Sequence, residues 1–324
     1  MFDVITIGSA TQDAFMVSKK FKIINSNLFT TGKGECVSFG SKIELDQFVL
    51  TTGGGATNTS ATFSSLGFKT SIITRIGNDI PGQSVLEDLK NFKVNTELVK
   101  TIKGGQTGYG ALLTAMNGER SVLVNRGVSG DFTEKDIPFS KLKTKWLYIS
   151  SLAGNTTLVA KIAENARKKG IKVAYNPGSA ELKKGVKAFA SIINNIDLLS
   201  MNLEEAQMLA KLQTRDVKKL VEKIAHPGLT LLLTDGSAGS YAHKDNELIF
   251  ARTRNVKVIS RTGAGDGFGS GVVASLMKGL SLEDALRVGT INAESIIQSL
   301  GAKFGIITKW PDEKIMKQVK IRKL

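Results

Sequence analysis

At 324 residues, 41% of them hydrophobic, the chain can bury one large α/β core or two smaller ones. Its 44 Lys and Arg against 29 Asp and Glu give a net charge of +15, but the basic residues are spread along the whole chain and aromatics make up only 6%; this reads as a basic solvated surface that favours anionic substrates, with nucleic acid the lesser alternative. No apolar run approaches a membrane span, MFDVITIGS reads as a first strand and not a signal peptide, and the single Cys36 excludes a disulfide framework or a CxxC metal site and points to a reducing cytoplasm.

Phe2 to Gly8, FDVITIG, is β-branched and apolar and ends at a glycine, which predicts a buried parallel strand whose carboxyl end opens on a ligand crevice. Five residues on, Asp13 either accepts hydrogen bonds from paired hydroxyls, as a polyol offers, or is an ordinary turn residue. From about Phe15 to Leu50, VSKKFKII, ECVSFG and KIELDQFVL read as short amphipathic strands that break any βαβ alternation and predict a small antiparallel sheet inserted after the first strand. Gly53-Gly54-Gly55-Ala56-Thr57-Asn58 then leads into TSATFSSLG, a helix of small residues ending at Gly67, with glycines that let the backbone approach a ligand and an Asn58 on the first turn able to donate and accept. KTSIITRIG is the next strand, Gly77-Asn78-Asp79 and Pro81-Gly82 a turn, and Gln83 to Phe92 a helix. Thr107 to Met116 and Arg120 to Asn125 predict a hairpin around Asn117-Gly118 that extends the inserted sheet; Arg126 at its end either reaches a ligand or is a surface arginine.

After Asp131, WLYIS, IKVAYN, IDLLSMN and LTLLLTDG are apolar strands separated by helical segments, which predicts a doubly wound parallel sheet with its ligand site at the carboxyl ends of the strands. Asn202 and Glu205, three apart at a helix start, either orient waters around Mg²⁺ or form a capping box. Thr234 to Gly239 suits a nucleotide's ribose and phosphates, or is a plain hairpin loop. His226 and His243 have no partner at metal-ligand spacing, and the chain has neither a P-loop, a GxSxG elbow nor a GxGxxG after its first strand. Past the helices of Ser281 to Leu300, KIMKQVKIRKL reads as a basic surface helix or strand.

The densest stretch is SRTGAGDGFGSGVVASL, Ser260 to Leu276. Glycine at every second position predicts a tight turn at Thr262 to Gly265 and a helix from Asp266 to Lys278, whose free N–H groups and dipole receive an anion. Asp266 at that end is either a cap or a base working beside a phosphate.

Together these motifs resemble the ribokinase-like, PfkB-type carbohydrate kinase family over nearly the whole chain. The first signature is similar to Gly53–Asn58 and the second to Thr262–Phe268, with Gly77-Asn78-Asp79 and Gly82, Asn202 and Glu205, and Thr234 to Gly239 matching in order between them. The resemblance implies an α/β fold, a doubly wound, mostly parallel sheet flanked by helices, with a small β-sheet lid made of segments about 14–50 and 104–130 that often serves as a dimer interface. It implies ATP- and Mg²⁺-dependent phosphorylation of a hydroxyl on a sugar, or alternatively a nucleoside; a non-catalytic ligand sensor or an RNA-binding relative is the rival outside the enzyme class. Asp266 would be the base, Gly263, Ala264 and Gly265 the anion hole, and Asp13, Gly54, Gly55 and Asn58 the acceptor's partners. Asn176, Asn202, Glu205, Thr234, Gly236, Gly239 and Gly265 would serve the nucleotide, with Glu205 reaching Mg²⁺ through water. Many members keep Asp-Thr ahead of the second signature, where the Asp helps hold a monovalent cation; here Ser260 and Arg261 stand there, so that cation does not carry over, and Arg261 offers a fixed positive charge instead.

Overall fold

The computed structural model describes residues 1–29, 32–116 and 120–324. Its centre is a nine-stranded sheet in the order Ile321–Lys323, Glu247–Ala251, Ser240–Lys244, Thr230–Thr234, Leu198–Asn202, Lys172–Asn176, Thr144–Ser150, Phe2–Ile7, Thr70–Ile73. The strands from Thr230–Thr234 to Thr70–Ile73 run parallel, while the other three form an antiparallel edge. The parallel strands are apolar at nearly every position because helices cover both faces. Ile5, Ile7, Leu199 and Leu231 pack into one core, with Ile162 and Leu220 of the helices on that side. Val4, Tyr148, Leu198 and Leu232 face the other, with Phe268 and Val272 of the helix Ala264–Met277 and Leu286 of Leu282–Ile296. From Phe2–Ile7 the chain passes to Thr70–Ile73 on one side and later to Thr144–Ser150 on the other, so the strand order reverses at Gly8, where a doubly wound sheet opens its crevice.

A second, lid-like sheet has the order Arg120–Asn125, Gly108–Thr114, Thr11–Val17, Gln47–Gly53. Thr11–Val17 pairs parallel with Gly108–Thr114, and the other pairings are antiparallel. Between them, Lys22–Asn25 and Lys33–Cys36 form an exposed ribbon of their own, and residues 37–46 hold no strand, so the expected strands in ECVSFG and KIELDQFVL are shorter than their patterning implies. The expected Asn117-Gly118 turn lies outside the described residues; the strands flanking it pair as expected, Arg120 with Thr114.

Several boundaries differ from the sequence reading. KTSIITRIG breaks at Thr74, whose hydroxyl donates to Gly8 O at 2.8 Å, so that Thr70–Ile73 joins the large sheet and Arg75–Gly77 pairs with Lys100–Ile102. The next helix is Ile80–Asn91, begun earlier than Gln83 because the Asp79 side chain caps it by accepting from Gly82 N–H at 2.9 Å. Asp79 also accepts from the N–H and hydroxyl of Thr107, which ties this turn to the start of the hairpin. The helix of the second glycine motif begins at Ala264, two residues before the expected start, because Gly263 takes the cap position in the left-handed region (φ 82°). The tail, expected as a helix or a strand, holds one of each, a short helix Glu313–Met316 and the edge strand Ile321–Lys323.

Candidate active site

The two glycine motifs meet. The helix Gly55–Ser65 is capped by Gly54 (φ 98°), where a Cβ would lie 2.5 Å from Ser9 O. Its first turns point at the start of Ala264–Met277, and there Asn58 Nδ2 donates to Asp266 Oδ2 at 2.8 Å, joining residues 208 positions apart. Asp266 is therefore not the cap of its own helix: Gly263 holds that position, and the carboxylate turns to Asn58. Burial pushes Asp266 up to about 6; the Asn58 bond and the charge of Lys303 oppose this, and the charge of Asp13 adds to it. The first ladder bond of the helix is Gly267 N–H to Gly263 O at 2.8 Å, so the N–H groups of Gly265 and Asp266 precede any i−4 acceptor, and that of Ala264 is only 3.4 Å from Arg261 O.

Asp13 is neither in a turn nor loose. It is buried in the strand Thr11–Val17, paired with Thr51 and Gly110, and its Oδ1 accepts from Thr11 Oγ1 at 2.9 Å. A Cβ at Gly53 would stand 2.0 Å from Asp13 Oδ2, so the first glycine of that run makes room for this carboxylate. Burial raises the Asp13 carboxyl, while the Thr11 bond and Lys303 pull it back. Gly55 lies against Ser150 at the carboxyl end of Thr144–Ser150, and a Cβ there would come within 3.7 Å of Asp266 Oδ1. Gly55, Asn58 and Asp266 thus lie together near the point where the sheet reverses, with Asp13 close enough for its charge to act on Asp266.

Beside it runs a cleft of about 1000 Å³ lined by Asn202, Thr234, Gly236, Gly239, Ala264 and Gly265, among others. Thr234–Gly239 is a hairpin turn between Thr230–Thr234 and Ser240–Lys244, with one turn of 3-10 helix at Gly236–Ala238, and it also forms a wall of this cleft. Asn202 and Glu205 form the capping box: Asn202 Oδ1 accepts from Glu205 N–H at 2.8 Å and Glu205 Oε2 from Asn202 N–H at 2.9 Å. Burial raises the Glu205 carboxyl, and the charge of Asp266 contributes. Asn176 stands apart from the cleft lining and donates to Ser200 O at 2.8 Å across the sheet. Arg215, Arg252, Arg254 and Arg261 add positive charge around the cleft, of which Arg215 pairs with Asp235 and Arg254 with Glu294. No group of three His, Cys, Asp or Glu side chains able to hold a metal occurs among the described residues.

The residue that sequence reasoning missed is Lys303. Its ammonium is buried, 2.8 Å from Asp88 Oδ2 and 2.5 Å from Thr52 Oγ1, at the root of the small sheet. Its only mark in the sequence is a lone lysine between Gly301-Ala302 and Phe304-Gly305.

Residues 1–309 match the family described as pfkB family carbohydrate kinase. A ribokinase of Lactococcus lactis is 27% identical over 311 residues, covering 94% of each chain. Among solved structures, the ribokinase of Arabidopsis thaliana complexed with ribose and ATP superposes with a TM-score of 0.73 at 20% identity, covering 98% of each chain. The nucleoside kinase of Methanocaldococcus jannaschii, an archaeal member of the ribokinase family, does so with a TM-score of 0.75 at 21% identity, again covering 98% of each. With a family match across nearly its whole length and this fold beneath it, the chain belongs to the pfkB family of carbohydrate kinases and is a phosphotransferase that uses an alcohol group as acceptor.

Proposed function

We propose that the protein transfers the γ-phosphoryl group of ATP to a hydroxyl of a sugar, with a nucleoside as the alternative acceptor. The carrying observation is the half-buried Asp266 carboxylate, pushed up to about 6 by desolvation and held by Asn58 at the junction of the two glycine-led helices. A base whose pKa lies near neutrality is suited to taking the proton of an alcohol as its oxygen attacks phosphorus. The bond from the γ-phosphorus to the β,γ-bridging oxygen breaks as the new O–P bond forms, and ADP leaves. The N–H groups of Gly263, Ala264 and Gly265 meet the charge on the transferred group, the term that dominates phosphoryl transfer.

Asp13, Gly54, Gly55 and Asn58 hold the acceptor's hydroxyls. Thr234, Gly236, Gly239, Asn202 and Gly265 line the nucleotide's cleft, whose volume and basic rim fit a nucleoside triphosphate, and Asn176 braces the strand end behind it. Mg²⁺, when bound, offsets phosphate charge. One protein carboxylate is enough for an ion that keeps most of its water, and Glu205 spends only Oε2 on the helix cap. Ribose and ATP in the Arabidopsis ribokinase, and the nucleoside named for the archaeal enzyme, support the two acceptor classes.

The small sheet, with segments about 14–50 and 104–130, is the lid and the dimer surface. On its face opposite Asp13, Leu50, Ala14, Ala111 and Leu123 form one row and Phe48, Met16 and Leu113 the next, with Phe48, Leu50 and Leu123 exposed. Leu123→Asp then halves the mass seen in sedimentation; a wild-type monomer contradicts the surface. The single cysteine suits a cytoplasmic enzyme, and no helix among the described residues is long and apolar enough to cross a membrane. Function is tested by ADP release from ATP with pooled sugars and nucleosides. Release that depends on one acceptor supports the reading; none with any pool favours a sensor or RNA-binding role.

A further inference from the structure

We propose that Lys303 is a positioning residue for phosphoryl transfer, a fixed buried cation, held by residues adjoining the Asp13 and Asp266 contacts, that offsets the negative charge of these two neighbouring carboxylates. The inference rests on the reading of Asp266 as the base. The Lys303 side chain is 3% exposed, and its ammonium is fixed by Asp88 Oδ2 at 2.8 Å, Thr52 Oγ1 at 2.5 Å and Thr57 Oγ1 at 3.4 Å. These partners lie on three separate elements: the strand Gln47–Gly53 and the helices Gly55–Ser65 and Ile80–Asn91.

Two of them stand one residue from the acidic site on either side. Thr52 precedes Gly53, which makes room for Asp13, and Thr57 precedes Asn58, which donates to Asp266. A buried ion pair contributes little to stability once desolvation is counted, so Asp88 alone does not account for a lysine here. Two carboxylates confined together do, because their repulsion and burial both favour protonation, and a nearby cation opposes both. The charge of Lys303 lowers both Asp13 and Asp266.

The groups whose bonds or charges act on Asp266 are Asn58 on Gly55–Ser65, Lys303 on the segment after Leu282–Ile296 and Asp13 on the lid-like sheet, while the charge of Asp266 in turn acts on Tyr148 of Thr144–Ser150 and Glu205 of Leu203–Ala210. Those acting on Lys303 are Asp88, Thr52, Thr57, Asp13 and Asp266. Removing the ammonium therefore takes away one of the two side-chain interactions that oppose protonation of Asp266, the other being the Asn58 bond.

The test is a ¹³C NMR titration of the full chain labelled at aspartate carboxyls, with the Asp266 signal assigned by its loss in Asp266→Asn. In Lys303→Met and Lys303→Gln, Asp266 titrates at higher pH than in wild type by about one unit, a tenfold change in proton affinity. Asp88→Asn removes the carboxylate whose charge and hydrogen bond keep the buried Lys303 protonated against desolvation, so Asp266 again moves to higher pH; this variant decides the matter if the Lys303 variants do not fold. An Asp266 signal that titrates where it does in wild type, in Lys303 variants that fold or in Asp88→Asn, overturns the proposal and makes Lys303 a structural tie alone. Full turnover in Asp266→Asn would instead remove the base reading while leaving the titration result intact.

Discussion

The side-chain amide of Asn58 and the carboxylate of Asp266 are held 2.8 Å apart, and the other pole of that amide, Asn58 Oδ1, is buried with no hydrogen-bond partner among the described residues. A hydrogen bond to a charged group is worth about 1.5–3 kcal/mol, so Asn58→Ala is expected to lower kcat/KM roughly ten- to hundredfold. Because the bond favours the ionised carboxyl, its loss also moves the acid limb of the pH–rate profile upward. A drop in rate with that limb unmoved would separate Asn58 from Asp266.

The pH dependence follows from the same carboxyl. Asp266 is pushed up to about 6 by burial, and only its ionised form accepts a proton. Acceptor kcat/KM is therefore level above about pH 7 and falls about tenfold for each unit below 6. Activity that stays level to pH 5, as an ordinary aspartate would give, contradicts the assignment.

Two glycines of the second motif separate packing from chemistry. A Cβ at Gly263 would stand 2.6 Å from Ala302 Cβ on a backbone at φ 82°, whereas at Gly265 it would meet nothing within 4 Å. Gly263→Ala is expected to lose about 1–3 kcal/mol of stability. Gly265→Ala keeps the wild-type Tm and loses turnover, because the methyl group enters the cleft where phosphate charge is received. Equal Tm losses in both would mean that Gly265 is there for the fold.

How much of this was legible in the sequence varied with the range of the interaction. The glycine corners and apolar strands are local patterns, and they led to the parallel sheet and to the start of the second glycine motif's helix within two residues, though the first motif's helix starts four residues before its expected TSATFSSLG. Asp13 read as a turn or ligand residue because nothing local marks it as a strand; its place depends on pairing with Gly110, almost a hundred residues away. Asn202 and Glu205 carry two readings on one spacing, and the capping box is realised without consuming every oxygen of Glu205. Lys303 was not legible, because lysine reads as solvent-facing and its partners Thr52, Thr57 and Asp88 all lie more than two hundred residues earlier.

Potassium is a further test. Ser260 is buried and accepts from Thr262 N–H at 3.3 Å, so a hydroxyl stands where a cation-binding carboxylate would be needed, and Arg261 lines the cleft with no acid partner among the described residues. Turnover is expected to be the same with potassium chloride as with a bulky organic cation at equal ionic strength. Strong activation by potassium would mean that other groups hold that ion.

The most direct measurement is turnover of Asp266→Asn beside wild type, with ADP release followed on the acceptor found by screening. Since the substitution keeps the bulk of the side chain and its contact with Asn58, the variant is expected to fold with the wild-type Tm, bind ATP as before and turn over about 10²-fold or more slowly. A rate within a few-fold of wild type would show that the proton leaves by another route and that this carboxylate is not the base.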